Sequence, residues 1–342
     1  AVTTGLDNSA FGAYAGQNVT TGANNVAVGK SALHDTTTGS DNTAIGQNAL
    51  FDNETGIENV ALGYRACEDS TDRNYNVMIG SHAGLLGGAH NNVGVGYKAM
   101  GNGTKTTAAD DNTAVGTLAM ANLTTGSDNT ALGFAALQVN TTGAINTAIG
   151  VNALDANTTG DENTASGAGA LGSNTTASNN AAFGRNALTS NTTGASNTAV
   201  GKGSLALNTT ASNNTAVGFE SLLNNTTGTK GTAVGYQAGY SNTTANSNTA
   251  LGYQALYSST TNGFNTAIGK SSLNANTAVG NTAVGYDAME KNTSGSNNTA
   301  MGREALKLNT TGTENAVFGQ NAMATCTEGN SNSAFGRDCL SG

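Results

Sequence analysis

The chain has 342 residues, of which 47 are Gly and none is Pro or Trp, with 10% charged and 5% aromatic residues. Its 37% apolar content, much of it Ala, does not fill the two ordinary cores that the length alone would suggest. Thirteen Lys and Arg against 22 Asp and Glu give a net charge of −9, so no basic patch points to nucleic acid, and no apolar run is long enough to form a membrane-spanning helix. No basic and apolar leader opens the sequence, so no signal peptide is expected in it. Cys67, Cys326 and Cys339 make neither a disulfide framework nor a metal-binding pair.

A repeat dominates the sequence. The motif Asn-Thr-Ala-apolar-Gly recurs 20 times between Gly12 and Gly336, at steps of 17 residues except for 16 and then 20 around Gly96, and 16 from Gly269 to Gly285. Counting from this glycine as position 0 (Gly46, Gly133, Gly150, Gly201 and Gly218 among them), Asn stands at −4 in 19 of 20 units, as in Asn42, Asn129, Asn146, Asn197 and Asn214. Gly231 is the exception. Position −2 is Ala in 17 units, −1 is apolar in 19, +3 is always small and +4 is mostly Leu or Met.

In chain order each unit predicts a short strand (Thr-Ala-Val-Gly), a tight glycine turn, a second short strand of the Tyr-Gln-Ala-Leu kind, and a polar Asn-Thr-Thr-Gly loop. No helical stripe develops. A unit of fixed length is one coil of an all-β parallel β-solenoid, and each position becomes a ladder. About 20 coils at ~4.8 Å each predict one continuous array, 1–342, forming a rod on the order of 100 Å long. The Asn positions predict an amide ladder and the glycines a column that needs positive φ or close backbone approach. Each coil is expected to bury about two large apolar side chains, worth roughly 3–6 kcal/mol, too little to order a lone coil. Because neighbours alternate across a strand, one apolar column faces out, and a recurring outer apolar stripe implies a partner. Two zones break the pattern, about 67–112 and 274–285.

The Asn-(Ser/Thr)-(Ala/Val)-apolar-Gly-x-x-Ala unit resembles the head repeats of YadA-like trimeric autotransporter adhesins. The longer form with Asn-Thr-Thr-Gly, as at 225–228 and 309–312, is similar to arrays in phage tail-fibre proteins. The resemblance spans essentially 1–342 and implies a left-handed β-roll, three chains side by side, and an extracellular attachment fibre on a cell surface or virion tail. It departs in its longer period and in having no coiled-coil stalk, anchor or C-terminal chaperone domain. The partners it implies are the chain itself, as a homotrimer or an end-to-end filament, and a cell-surface receptor or glycan, without nucleic acid and without membrane insertion.

Sites for chemistry are few. Cys67 with His82 and His90 could form a metal cluster or a nucleophile–base pair, but Cys67 occupies the Leu column and needs no such role. Residues 167–172 match GxGxxG without a strand–helix context. Asp41, Asp111, Asp128 and Asp161, just before the ladder Asn, are weak Ca²⁺ candidates. The Asn-Thr-Thr triplets at 157–159 and 208–210 match glycosylation acceptors, though their periodicity suits a structural turn. Tyr64, Tyr97, Tyr236, Tyr253 and Tyr286, one after the repeat glycine, form a surface row for sugar contact or ladder packing. No cofactor and no enzymatic activity are implied. A lone solenoid binding a surface such as ice or polysaccharide is the second reading, weakened because the paired Thr lie in a loop rather than on a strand.

Overall fold

Thr and the aliphatic residue at −1 favour extended backbone and the glycine after them ends it, so each repeat holds one short strand. The computed structural model describes residues 4–69, 71–84, 89–101 and 109–341. Among these, all the strands are three residues long and there is no helix. Two compact units divide the chain, 1–177 and 178–342.

In the first unit, ten strands from Ser9–Phe11 to Thr164–Ser166 pair in chain order, parallel and in register, so that Ala44 lies beside Ala27 and Ala61. In the second, ten strands from Ala181–Phe183 to Ser333–Phe335 do the same, with Thr215 beside Thr198 and Thr232. Each unit is a parallel β-solenoid with one 17-residue repeat per turn. The irregular steps leave the register intact: Val93 pairs with both Val77 and Thr113, and Thr282 with Thr266. Length variation is absorbed in the connections. Residues 70, 85–88 and 102–108 of the first irregular zone lie outside the described residues.

The core is narrow. Ala at −2 and the small residue at +3 point inward, as Ala44 and Ala49 do, and Leu or Met at +4 fills the remaining space, as Leu50 does with 0% exposure. The aliphatic residue at −1 is outside, so one large side chain is buried per turn rather than the two expected. Where one column changes, its neighbours compensate. Met78 replaces Ala at −2, and Gly84 at +4 of the same turn and Gly94 at −2 of the next make room for it: a Cβ there would stand 2.7 Å from Met78 Cγ and 2.5 Å from Met78 Sδ.

The expected second strand does not form. Positions +2 and +4 adopt left-handed backbone, as at Asn48 (φ 57°) and Leu50 (φ 50°), which turns the chain without breaking the inter-turn bonding. Asn48 N donates to Lys30 O of the preceding turn (3.0 Å) and Leu50 N to Ala66 O of the following one (2.9 Å). A left-handed Leu costs roughly 1–2 kcal/mol, and its full burial returns about 1.5–3 kcal/mol. The repeat glycines are more constrained still. Gly46 (φ 139°) and Gly218 (φ 132°) lie where a Cβ would overlap the carbonyls of Gly63 and Gly235 in the next turn.

The polar segment carries buried ladders. At −4, Asn42 Nδ2 donates to Asn25 Oδ1 (3.2 Å) and to Gly56 O (2.8 Å), and Asn42 N donates to the same Asn25 Oδ1 (3.0 Å). Asn129, Asn146, Asn163 and Asn197 repeat this arrangement. The Asn of Asn-Thr-Thr-Gly, read as part of a loop, builds a second ladder. Asn157 Nδ2 donates to Asn140 Oδ1 and Asn208 Nδ2 to Asn191 Oδ1, each at 2.9 Å, and all four residues are 0% exposed. At −6, a side-chain acceptor receives the backbone N–H of the preceding turn, as Ser40 does from Ala23 (3.0 Å) and Asp161 from Ala144 (2.8 Å).

Candidate binding surface

The strand turns two columns outward. Position −1 presents Ile45, Leu62, Leu132, Ile149, Val200 and Leu251, all 36–48% exposed. Position −3 is chiefly half-buried Thr, and no residue at −3 or −1 of either unit is charged. From Thr198 to Thr299 seven successive turns place a Thr beside an aliphatic residue in register. Among the described residues these Thr hydroxyls make no hydrogen bond, so they face solvent with the aliphatic methyls. The Thr residues on the strand, rather than the loop pair, thus form the regular face.

Position +1 lies beyond the glycine and carries the tyrosines. Tyr64, Tyr97, Tyr236, Tyr253 and Tyr286 are 43–48% exposed. Tyr236 stacks on Phe219 and on Tyr253, with ring centroids 5.2 Å apart in both pairs. Both its faces are covered, which leaves ring edges to solvent. Tyr286 is approached by Lys270 Nζ (5.2 Å) and by the Arg303 guanidinium (5.9 Å). Tyr64 and Tyr97 are separated by Ser81 and meet His82 edge-on at 5.2 and 6.3 Å.

The remaining sequence candidates do not converge. Cys67 is buried, and burial pushes its thiol above the ordinary value against the pull of Arg73, whose Nη1 stands 3.6 Å from Sγ. The Arg73 guanidinium also donates to Gly84 O (2.7 Å) and Asp69 O (2.9 Å). His90 Nδ1 accepts the N–H of Asn74 (3.1 Å), and His82 is bonded to Ser81 Oγ (2.9 Å). Burial, then the cations Arg65 and Lys98, hold His82 below its usual pKa. Asp41, Asp111 and Asp128 sit at −5 with φ of 58–60°, a left-handed position that Asp and Asn tolerate best, so backbone geometry explains their recurrence. Asp161 is engaged as the acceptor already described. Among the described residues no group of three His, Cys, Asp or Glu is placed to hold a metal ion. Asn157 and Asn208 of the acceptor triplets have no exposed amide for a sugar to reach.

The second Asn ladder and the −6 acceptors were missed by sequence reasoning. The signal was present, because Asn140, Asn157, Asn174 and Asn191 stand 17 residues apart. Turn chemistry accounts for Asn-Thr-Thr-Gly locally and so hid its second role. Comparison with known proteins gives no match to any family model and none to any curated protein.

Proposed function

We propose that this chain is a structural, non-enzymatic segment of an extracellular attachment fibre in which three copies lie side by side with their strand faces turned toward one another. The observation that carries the reading is the inverted burial: most turns keep Ala inside and set an apolar residue, Ile45 or Leu251 for example, in an uncharged outer column. Exposed apolar columns of this length mark a surface that meets another surface. The resemblance to trimeric adhesin heads and phage tail fibres supplies the number of copies and the attachment role. Light scattering on the size-exclusion peak tests it. A mass of three chains is expected, falling to one chain in the Val200→Lys/Leu251→Lys variant with an unchanged circular dichroism spectrum. A wild-type monomer at micromolar concentration rejects the trimer.

One observation favours a second reading, a lone solenoid that binds a regular surface: the free Thr hydroxyls from Thr198 to Thr299 alternate with aliphatic side chains in a periodic array. A monomer that shapes growing ice crystals or is retained on crystalline polysaccharide would support it, and loss of either effect in Thr232→Tyr/Thr249→Tyr would locate it.

A further inference from the structure

We infer that the +1 column of the second unit is a binding track for a linear acidic polysaccharide carrying one anionic group per disaccharide. This rests on the attachment reading above and names its ligand. The column runs Arg185, Lys202, Phe219, Tyr236, Tyr253, Lys270, Tyr286, Arg303, Gln320, Arg337. It holds five cations and no acid in a chain of net charge −9. The same column of the first unit holds a single cation, Lys30, on the same backbone. The fold therefore does not require these charges.

Their spacing is the second argument. Lys202, Lys270, Arg303 and Arg337 are separated by four, two and two turns, so all four fall on alternate turns of the ladder. Two turns span ~10 Å, close to the length of an extended disaccharide. The aromatic residues hold the cations in place: Lys202 lies over Phe219 (5.5 Å), and Lys270 is sandwiched between Tyr253 (5.9 Å) and Tyr286 (5.2 Å). A cation fixed in this way loses less freedom on binding. Of the acids at +2, Glu220 is engaged by Gln237 and Asp287 by Lys307, while Glu304 and Asp338 pair with the column's own Arg303 and Arg337, leaving the lysines as its unpaired alternate-turn cations. Among the described residues Arg185, Lys202 and Lys270 have no carboxylate partner. Covered ring faces exclude face-on sugar stacking at Tyr236, so charge and edge contacts, rather than aromatic platforms, select the ligand.

The test titrates the full chain with hyaluronan of defined length at low salt, against a neutral β-glucan and single-stranded DNA of matched length. Hyaluronan is expected to bind, with affinity falling as salt rises. The exposed-site variant Lys202→Gln/Lys270→Gln/Arg303→Gln should bind at least tenfold more weakly with an unchanged melting temperature. Tyr236→Arg, which sets a fifth cation on an alternate turn, should bind more tightly. Absence of wild-type binding, equal binding of the neutral glucan, or an unaffected triple variant overturns the inference, and tighter binding of DNA overturns the glycan assignment. A trimer that ignores hyaluronan leaves the fibre reading standing and removes this one. A monomer that binds it does the reverse.

Discussion

Gly231 is the one residue of the −4 column that is not Asn, and the consequence is local. Asn214 Oδ1 accepts the Gly231 N–H (2.8 Å) but has no amide above it, and Asn248 has no side-chain acceptor below. A Cβ at Gly231 would stand 3.1 Å from Asn214 Oδ1 and 3.5 Å from Leu222 Cδ1, both movable side chains. Gly231→Asn should therefore restore the ladder and raise stability by about 1–2 kcal/mol in urea denaturation. Gly218→Ala should do the opposite, because the strained φ and the overlap with Gly235 are both backbone effects, costing on the order of 3 kcal/mol or more. His82 gives a pH effect at the same scale. Its folded pKa is depressed, so between its folded and unfolded values the unfolded chain binds more protons, and stability is present above the unfolded value near 6.5 and lost as pH falls through that range. His82→Gln should flatten the stability profile below about pH 6.5, and an unchanged slope would assign the acid sensitivity elsewhere.

At the scale of the coil, the sequence and the structure agree on different things for different reasons. The strand, the Ala column and the glycines were legible because a fixed period turns composition into geometry: Ala44 can only repeat beside Ala27 and Ala61 if the turns are in register. The Tyr-Gln-Ala-Leu segment misled because a second strand would close the coil, whereas Gln254 and Leu256 take φ of 49 and 53°, which local propensity does not foretell. The tyrosine row was visible, but not that Tyr236 would have both faces covered, since that depends on its neighbours in the adjacent turns. Asn-Thr-Thr-Gly reads as a polar loop from its turn chemistry, and the structure exposes Thr142 and Thr159 but buries the Asn two residues earlier. This difference predicts asymmetric mutational costs. Asn208→Ala removes the donor to Asn191 Oδ1 and the side-chain acceptor of Asn225 Nδ2, while Ala211 O keeps Asn197 Nδ2 and Asn225 Nδ2 keeps Gly228 O, and should lower stability by about 2–4 kcal/mol. Thr210→Ala, at an exposed hydroxyl, should change it by less than about 0.5 kcal/mol. Thermal melts of the two single variants measure the contrast.

For the molecule as a whole, stability within each unit is a sum over neighbouring turns, because no turn has a core of its own. Removing residues 134–150, one full repeat of the first unit, should leave every column in register and a folded protein with the same circular dichroism per residue. Removing 134–141 shifts the Ala column out of register and should unfold the surrounding turns. The function is less legible than the fold. The repeat fixes the rungs, and the positions that differ between units, Lys270 against Ser81 or Thr117 at +1, are the ones free to carry recognition.

The amide ladders also bear on how such a protein ages. Asn loses its amide when the backbone nitrogen of the next residue closes on the side-chain carbon. In the −4 column that nitrogen is committed: Thr43 N donates to Asn59 O and Thr130 N to Asn146 O, each at 2.8 Å. The side-chain amides of Asn42 and Asn129 are held by their own bonds in the ladder. Ring closure would have to break the sheet first, so a chain rich in the most perishable of side chains gains a long chemical lifetime from the way it stacks them.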